Sequence, residues 1–123
     1  MTTNDGPAID LDLLNHLEQD TSRALMPELI GIFLETAEAR VGRMKSAVAR
    51  PDFSAIAQEA HALKSSSATF GALVMQRLSL NMENAAKEER SEELAMLMDD
   101  LDKALDATEV ALKEHIKEYT SVD

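Results

Sequence analysis

Apolar residues recur every three or four positions along almost the whole chain. This spacing places them on one face of an α-helix, and no segment shows the two-residue alternation of a half-buried β-strand. Pro51, Gly71 and the polar run at 87–90 interrupt the pattern. Because the interruptions are only a few residues long, we expect neighbouring helices to be antiparallel. The sequence therefore predicts an all-α protein.

The periodic segments predict a short helix followed by four longer ones. Pro27 suits the first turn of the second helix, Asp52 can start the third, and Ser91 can cap the last. We expect an antiparallel four-helix bundle with a short additional N-terminal helix. The domain would cover 9–119, after a flexible N-terminus at 1–8 and before a C-terminal tail at 120–123. The predicted helices lie at about 9–17, 27–50, 52–70, 72–87 and 91–119.

Length, charge and residue content limit the classes of function. A chain of 123 residues makes one domain, and the absence of cysteine excludes disulfides and thiolate sites. Neither a signal-peptide pattern nor an apolar run of roughly 18 residues occurs, so we expect a cytoplasmic protein that does not enter a membrane. The net charge of −11 argues against nucleic-acid binding.

His61 is the residue most open to chemistry. At 100° per residue it points about 130° away from the centre of the third helix's apolar face, so we expect it to be exposed. Its neighbours at i−4, i+4 and i+7 are the small residues Ala57, Ser65 and Ala68, with Lys64 at i+3. The surface around the imidazole is therefore low enough for a partner to approach closely.

The segment 60–72 reads AHALKSSSATFGA and resembles the signature of histidine phosphotransfer (HPt) domains. The resemblance to these domains extends over residues 9–118. The resemblance implies a phosphocarrier of two-component phosphorelays, with phosphotransfer activity but no ATP-binding or autokinase domain. It implies response-regulator receiver domains and hybrid histidine kinases as partners. No cofactor is expected, since the receiver supplies Mg²⁺, and a monomer suffices.

The same resemblance implies roles for three residues. His61 would be phosphorylated, and Lys64 would offset charge on the phosphoryl oxygens. Glu83 would orient the imidazole by accepting a hydrogen bond from Nδ1–H. The helical spacing of the fourth helix then predicts Lys87 one turn further on, beside Glu83 and facing His61. The alternative for Glu83 and Lys87 is an ordinary surface ion pair between residues i and i+4.

The surface that would meet the partner departs from the family pattern at one position. The family usually has Gly directly after the Lys, whereas this chain has Ser65. The hydroxymethyl group either crowds the receiver or donates a hydrogen bond to the phosphoryl group. We expect Ala57, Ser65, Ala68 and Lys87 to contact the partner.

Other functions fit the sequence less well. A protein with the same fold could bind receivers or kinases as an adaptor without accepting phosphate, and only Ser65 favours this. A carboxylate-bridged metal bundle would need Glu-x-x-His pairs, which the sequence lacks, and no basic recognition helix suggests DNA binding. We assign no function to His16 or His115, which the pattern places on helix surfaces.

Overall fold

The computed structural model describes residues 8–120, so the tails predicted at 1–8 and 120–123 lie almost entirely outside the described residues. Within them the chain forms five α-helices and one 3₁₀ turn, and it has no strand. This confirms the prediction of an all-α protein. The elements are α1 (Leu11–Asp20), the 3₁₀ turn (Arg23–Leu25), α2 (Met26–Ala49), α3 (Phe53–Thr69), α4 (Leu73–Lys87) and α5 (Ser91–Thr120).

Aspartates start two of the helices, and at the third helix this is the predicted Asp52. The Asp10 carboxylate accepts hydrogen bonds from the backbone amides of Asp12 at 2.9 Å and Leu13 at 3.4 Å. Asp52 accepts one from the amide of Ala55 at 3.1 Å. These bonds satisfy amide groups that have no carbonyl partner within the first turn of a helix.

Two local features differ from the prediction. Helix α5 already includes Ser91, and the first helical carbonyl is that of Arg90, which accepts from the amide of Leu94 at 3.0 Å. Ser91 is therefore in the first turn rather than at the cap. The 3₁₀ turn at Arg23–Leu25 has no apolar period long enough to reveal it, and the Ser22 hydroxyl caps it.

Three short connections join the four long helices, and each closes in the same way. Just after the helix ends, a backbone amide donates a hydrogen bond to the carbonyl five residues earlier. This bond pairs a carbonyl of the last helical turn that would otherwise have no donor. These bonds run from Asp52 to Ala47 at 2.7 Å, from Ala72 to Ser67 at 2.8 Å and from Arg90 to Ala85 at 2.9 Å.

The long helices pack in chain order, and α5 also contacts α2, so the four enclose one apolar core. The buried residues recur at helical spacing on each long helix, and they include the hydroxyl residues Ser67 and Thr108. Val48 and Leu97 lie at the margin of the core. Most methionines of the described residues lie in this core, although Met96 is exposed. The largest fully buried side chains are Leu14, Met26, Ile30, Met44, Ile56, Leu63, Met75, Leu78, Met82, Leu94, Leu101 and Leu112.

Gly71 ties the first helix to the connection between α3 and α4. Its φ of +70° lies in the left-handed region, and its carbonyl accepts a 2.7 Å hydrogen bond from the amide of Asp10. A Cβ at this position would lie 2.6 Å from the carbonyl oxygen of Asp10. Only glycine fits both the backbone angle and the space.

The sequence places His115 on a helix surface, and this is wrong. Its side chain is only 10% exposed, and a ring nitrogen lies 2.8 Å from the hydroxyl of Tyr119. The guanidinium of Arg23 covers the Tyr119 ring at 4.7 Å, so the last turn of α5 is packed against the 3₁₀ turn. His16 is exposed, as predicted.

No helix within residues 8–120 is both long and apolar enough to cross a membrane.

Candidate functional site

His61 extends from the side of α3 that faces away from the core. The opposite side of the helix carries the fully buried residues Ile56, Ala60 and Leu63. The His61 side chain is 65% exposed. This confirms the direction that the helical period predicts.

Glu83 is on α4, directly beside His61. The Glu83 side chain is only 7% exposed, and its Oε2 lies 2.8 Å from Nδ1 of His61. Its other oxygen, Oε1, accepts a 2.7 Å hydrogen bond from Nζ of Lys64. The short connection between α3 and α4 brings these three residues together, because it folds α4 back along α3.

Lys87 completes the group from one turn further along α4. Its Nζ is 3.5 Å from Oε2 of Glu83, the oxygen that also meets the imidazole. The Lys87 side chain is 62% exposed, whereas that of Lys64 is 26% exposed. Glu83 therefore has one close and partly enclosed lysine and one more distant, solvated lysine.

These contacts keep Glu83 ionised. The hydrogen bond from Lys64 is the largest cause that lowers the pKa of Glu83, to about 2. Burial opposes this by raising the pKa, and the bond to His61 and the charges of both lysines lower it further. At neutral pH the group at position 83 is therefore a carboxylate.

A carboxylate can only accept hydrogen bonds, so the bond between Glu83 and His61 requires a proton on Nδ1 of the imidazole. In the neutral ring Nε2 then carries the free lone pair. Because Nδ1 faces Glu83, Nε2 is on the outward side of the ring. The pair holds an exposed imidazole in one tautomer, with the free lone pair on Nε2.

Small side chains surround the imidazole of His61 on α3, as the sequence predicts. Ala57 and Ala68 are half-buried on α3, and Ser65 is exposed. The Ser65 hydroxyl donates a 3.4 Å hydrogen bond to the carbonyl of His61. It is thus turned back onto its own helix, as serines in helices often are.

The structure brings together all four polar side chains that the sequence singles out. Glu83 and Lys87 do form the i, i+4 ion pair considered as the alternative, at 3.5 Å. The pair is not an ordinary surface one, because the Glu83 carboxylate is buried and also contacts His61 and Lys64. Sequence reasoning missed the bond from Lys64 to Glu83. Helical spacing places Lys64 near His61, but gives no sign that an acid on another helix receives the ammonium group.

Comparisons with known proteins identify the family and the fold. The family model for the Hpt domain matches residues 28–115. Among solved structures, the chain is similar to histidine-containing phosphotransfer protein B (HptB) from Pseudomonas aeruginosa, with a TM-score of 0.87 and 20% identity. The alignment covers 94% of this chain and 99% of that one. No curated protein matches.

The similarity to the solved structure supports the fold, and the family match covers the site-bearing helices. The match includes His61 with its neighbours on α3 and the whole of α4. The chain therefore belongs to the Hpt-domain family and is a histidine phosphotransfer protein of two-component phosphorelays.

Proposed function

We propose that His61 accepts and donates the phosphoryl group, shuttling it between aspartates of response-regulator receiver domains, including those of hybrid histidine kinases. The observation that carries this proposal is the 2.8 Å contact between Nδ1 of His61 and the buried carboxylate of Glu83. It supports Nε2 as the nucleophile.

In the transfer step, the Nε2 lone pair forms a bond to phosphorus while the bond from phosphorus to the aspartyl oxygen breaks. The electron pair of that bond leaves with the aspartate carboxylate. Nδ1 keeps its proton, so the phosphorylated ring is positively charged, and Glu83 stabilises it. The reverse sequence of bond changes loads the next receiver. Positioning and charge stabilisation supply most of the catalysis.

Other groups would act on the phosphoryl oxygens or on the partner. Lys64 offsets phosphoryl charge, and the receiver supplies its own Mg²⁺, so this chain needs no cofactor. Ala57, Ser65, Ala68 and Lys87 form the surface against which the receiver docks. We propose that the protein does this as a monomer in the cytoplasm.

Incubation with a receiver domain phosphorylated on its aspartate tests the proposal. We expect the chain to gain an acid-labile label, and His61→Gln to gain none. His16→Gln is the matched control, because His16 is an exposed histidine on α1. Label that persists in His61→Gln contradicts the assignment, and an adaptor without phosphotransfer would leave the unaltered chain unlabelled.

A further inference from the structure

The position of Lys64 conflicts with the role proposed for it. Lys64 is expected to meet the phosphoryl group on Nε2, yet its Nζ is held at 2.7 Å by Oε1 of Glu83, on the Nδ1 side of the ring. A lysine ammonium is a point charge on a flexible stem, so it can change partner without rebuilding a planar contact.

Phosphorylation changes which partner suits Lys64 best. The imidazole of His61 attacks phosphorus in its neutral form, and before transfer the Glu83 carboxylate is paired with the ammonium groups of Lys64 and Lys87. After transfer the ring is positive next to Glu83, and a doubly charged phosphoryl group is attached to the other nitrogen. The ring now compensates part of the carboxylate's charge, while the phosphoryl oxygens attract the nearest ammonium.

Lys87 is placed to take over at the carboxylate. Its Nζ is 3.5 Å from Oε2 of Glu83, too long for a close hydrogen bond, and its exposed stem is free to move. If Lys64 leaves, Oε1 is a buried carboxylate oxygen without a donor, and such an oxygen is costly. A small shift of Lys87 would supply that donor.

We propose that Glu83 holds the two lysines in turn: Lys64 is bound to it while His61 is free, and on phosphorylation Lys64 moves to the phosphoryl oxygens as Lys87 closes on the carboxylate. Lys87 is thus a positioning residue for the transfer reaction. This inference rests on the proposed function, since it requires phosphorylation at His61.

Nuclear magnetic resonance of the full chain tests the exchange. The ¹⁵N signals of the lysine ammonium groups and the ¹³C signal of the Glu83 carboxyl would be recorded before and after phosphorylation by phosphoramidate, a small donor with a nitrogen–phosphorus bond. We expect the Lys64 signal to couple to phosphorus and the Lys87 signal to become protected from solvent exchange. A Lys64 signal that is unchanged in phosphorylated protein overturns the exchange.

Variants of Lys87 separate positioning from structure. We expect Lys87→Met to slow phosphoryl transfer about threefold, within the range of one exposed ion pair, and to keep Lys64 on Glu83 after phosphorylation. Lys87→Arg should restore the rate. Lys103→Met is the matched control, because Lys103 makes a 3.1 Å pair with Asp99 at the same i, i+4 spacing on α5.

The outcomes distinguish the two proposals. Absence of any label on His61 overturns the proposed function and the exchange with it. Normal labelling of His61, combined with a Lys87→Met protein whose rate and Lys64 signal match the unaltered chain, overturns the exchange alone.

Discussion

Two glutamates in this bundle each contact two cationic side chains, at least one of which comes from a neighbouring helix. The two sites differ in the cations they use. Glu59 on α3 meets Arg40 at 2.8 Å and Arg43 through both the Nε and the terminal nitrogen, all from α2. Glu83 on α4 meets two lysines instead. Hydrogen bonding to arginine or lysine lowers the pKa of the carboxyl in both sites.

The cations determine what each site can do. A guanidinium fixes a carboxylate through a planar fork, so the Glu59 site joins α2 to α3 in a single geometry. An ammonium group imposes no such plane and leaves Glu83 able to exchange partners. Glu83 is also the more buried carboxylate, at 7% against 18% exposure, and it alone of the two contacts the imidazole of His61. The Glu59 site joins two helices, and the Glu83 site also orients the exposed imidazole of His61.

Replacing each glutamate by its amide should give the largest difference between the sites. Glu83→Gln presents an NH₂ group either to Lys64 or to Nδ1 of His61, and the second arrangement favours the tautomer in which Nε2 is protonated. We expect phosphoryl transfer from a receiver to slow by about 100-fold. Glu59→Gln should leave the rate within about twofold. Equal rates in the two variants would remove the distinction.

The acid dependence of stability should also separate the sites. The folded-state pKa of Glu83 is lowered from 4.5 to about 2, so its contribution is present above pH 4.5 and is lost as the pH falls towards 2. After allowance for solvent on the lysine side, we expect about 2 kcal/mol. Urea unfolding between pH 6 and 2.5 should show this loss in the unaltered chain, and a smaller one in Glu83→Gln. Parallel curves for both proteins would argue against it.

Replacing lysine by arginine at one site, and arginine by lysine at the other, tests whether Lys64 must leave Glu83 during transfer. Lys64→Arg should place a guanidinium fork on Glu83 and retain it there, so we expect transfer to slow by about tenfold while the free energy of unfolding changes little. Arg43→Lys at the other site should leave the transfer rate unchanged. Transfer rates and urea midpoints of both variants provide the check, and a fully active Lys64→Arg protein would show that exchange of the ammonium is unnecessary.

The smallest effect is expected at Ser65, which neither glutamate contacts. The Ser65 hydroxyl is hydrogen-bonded to its own helix, so we expect Ser65→Gly to change the transfer rate by only about two- to threefold. The size of this change should differ from one receiver to another. Glycine in the helix should lower the free energy of unfolding by about 1 kcal/mol. Rates measured with several receivers test this, and identical rates with each would remove any role of Ser65 in partner choice.

The helical period made much of this fold predictable, because a buried stripe on each helix leaves few ways to pack. The same period also predicts that His61 is exposed, because it places the histidine on the side of the helix that faces away from the apolar residues. The family resemblance then indicated Glu83 on the next helix. Both inferences depend on spacing within a helix or on a motif, and such information is present in the sequence.

Contacts between side chains on different helices were harder to predict from the sequence. His115 looks like a surface residue by its position on α5, yet its ring contacts Tyr119 and its side chain is only 10% exposed. Tyr119 is in turn covered by Arg23 of the 3₁₀ turn, a contact between distant parts of the chain. The bond from Lys64 to Glu83 depends on the distance between α3 and α4 and on the conformations of two long side chains. No periodicity within one helix contains that information.

The contact between Asp10 and Gly71 has a practical consequence for experiments on this protein. The amide of Asp10 is bonded to the turn that sets α4 alongside α3, and therefore to the turn that sets the spacing of His61 and Glu83. An N-terminal deletion that removes Asp10 would keep both His61 and Glu83 in the chain. It would still weaken the turn that fixes the distance between them. A truncated protein used for phosphorelay reconstitution should therefore begin before Asp10, and the exchange rate of that amide with solvent can report whether the turn is intact.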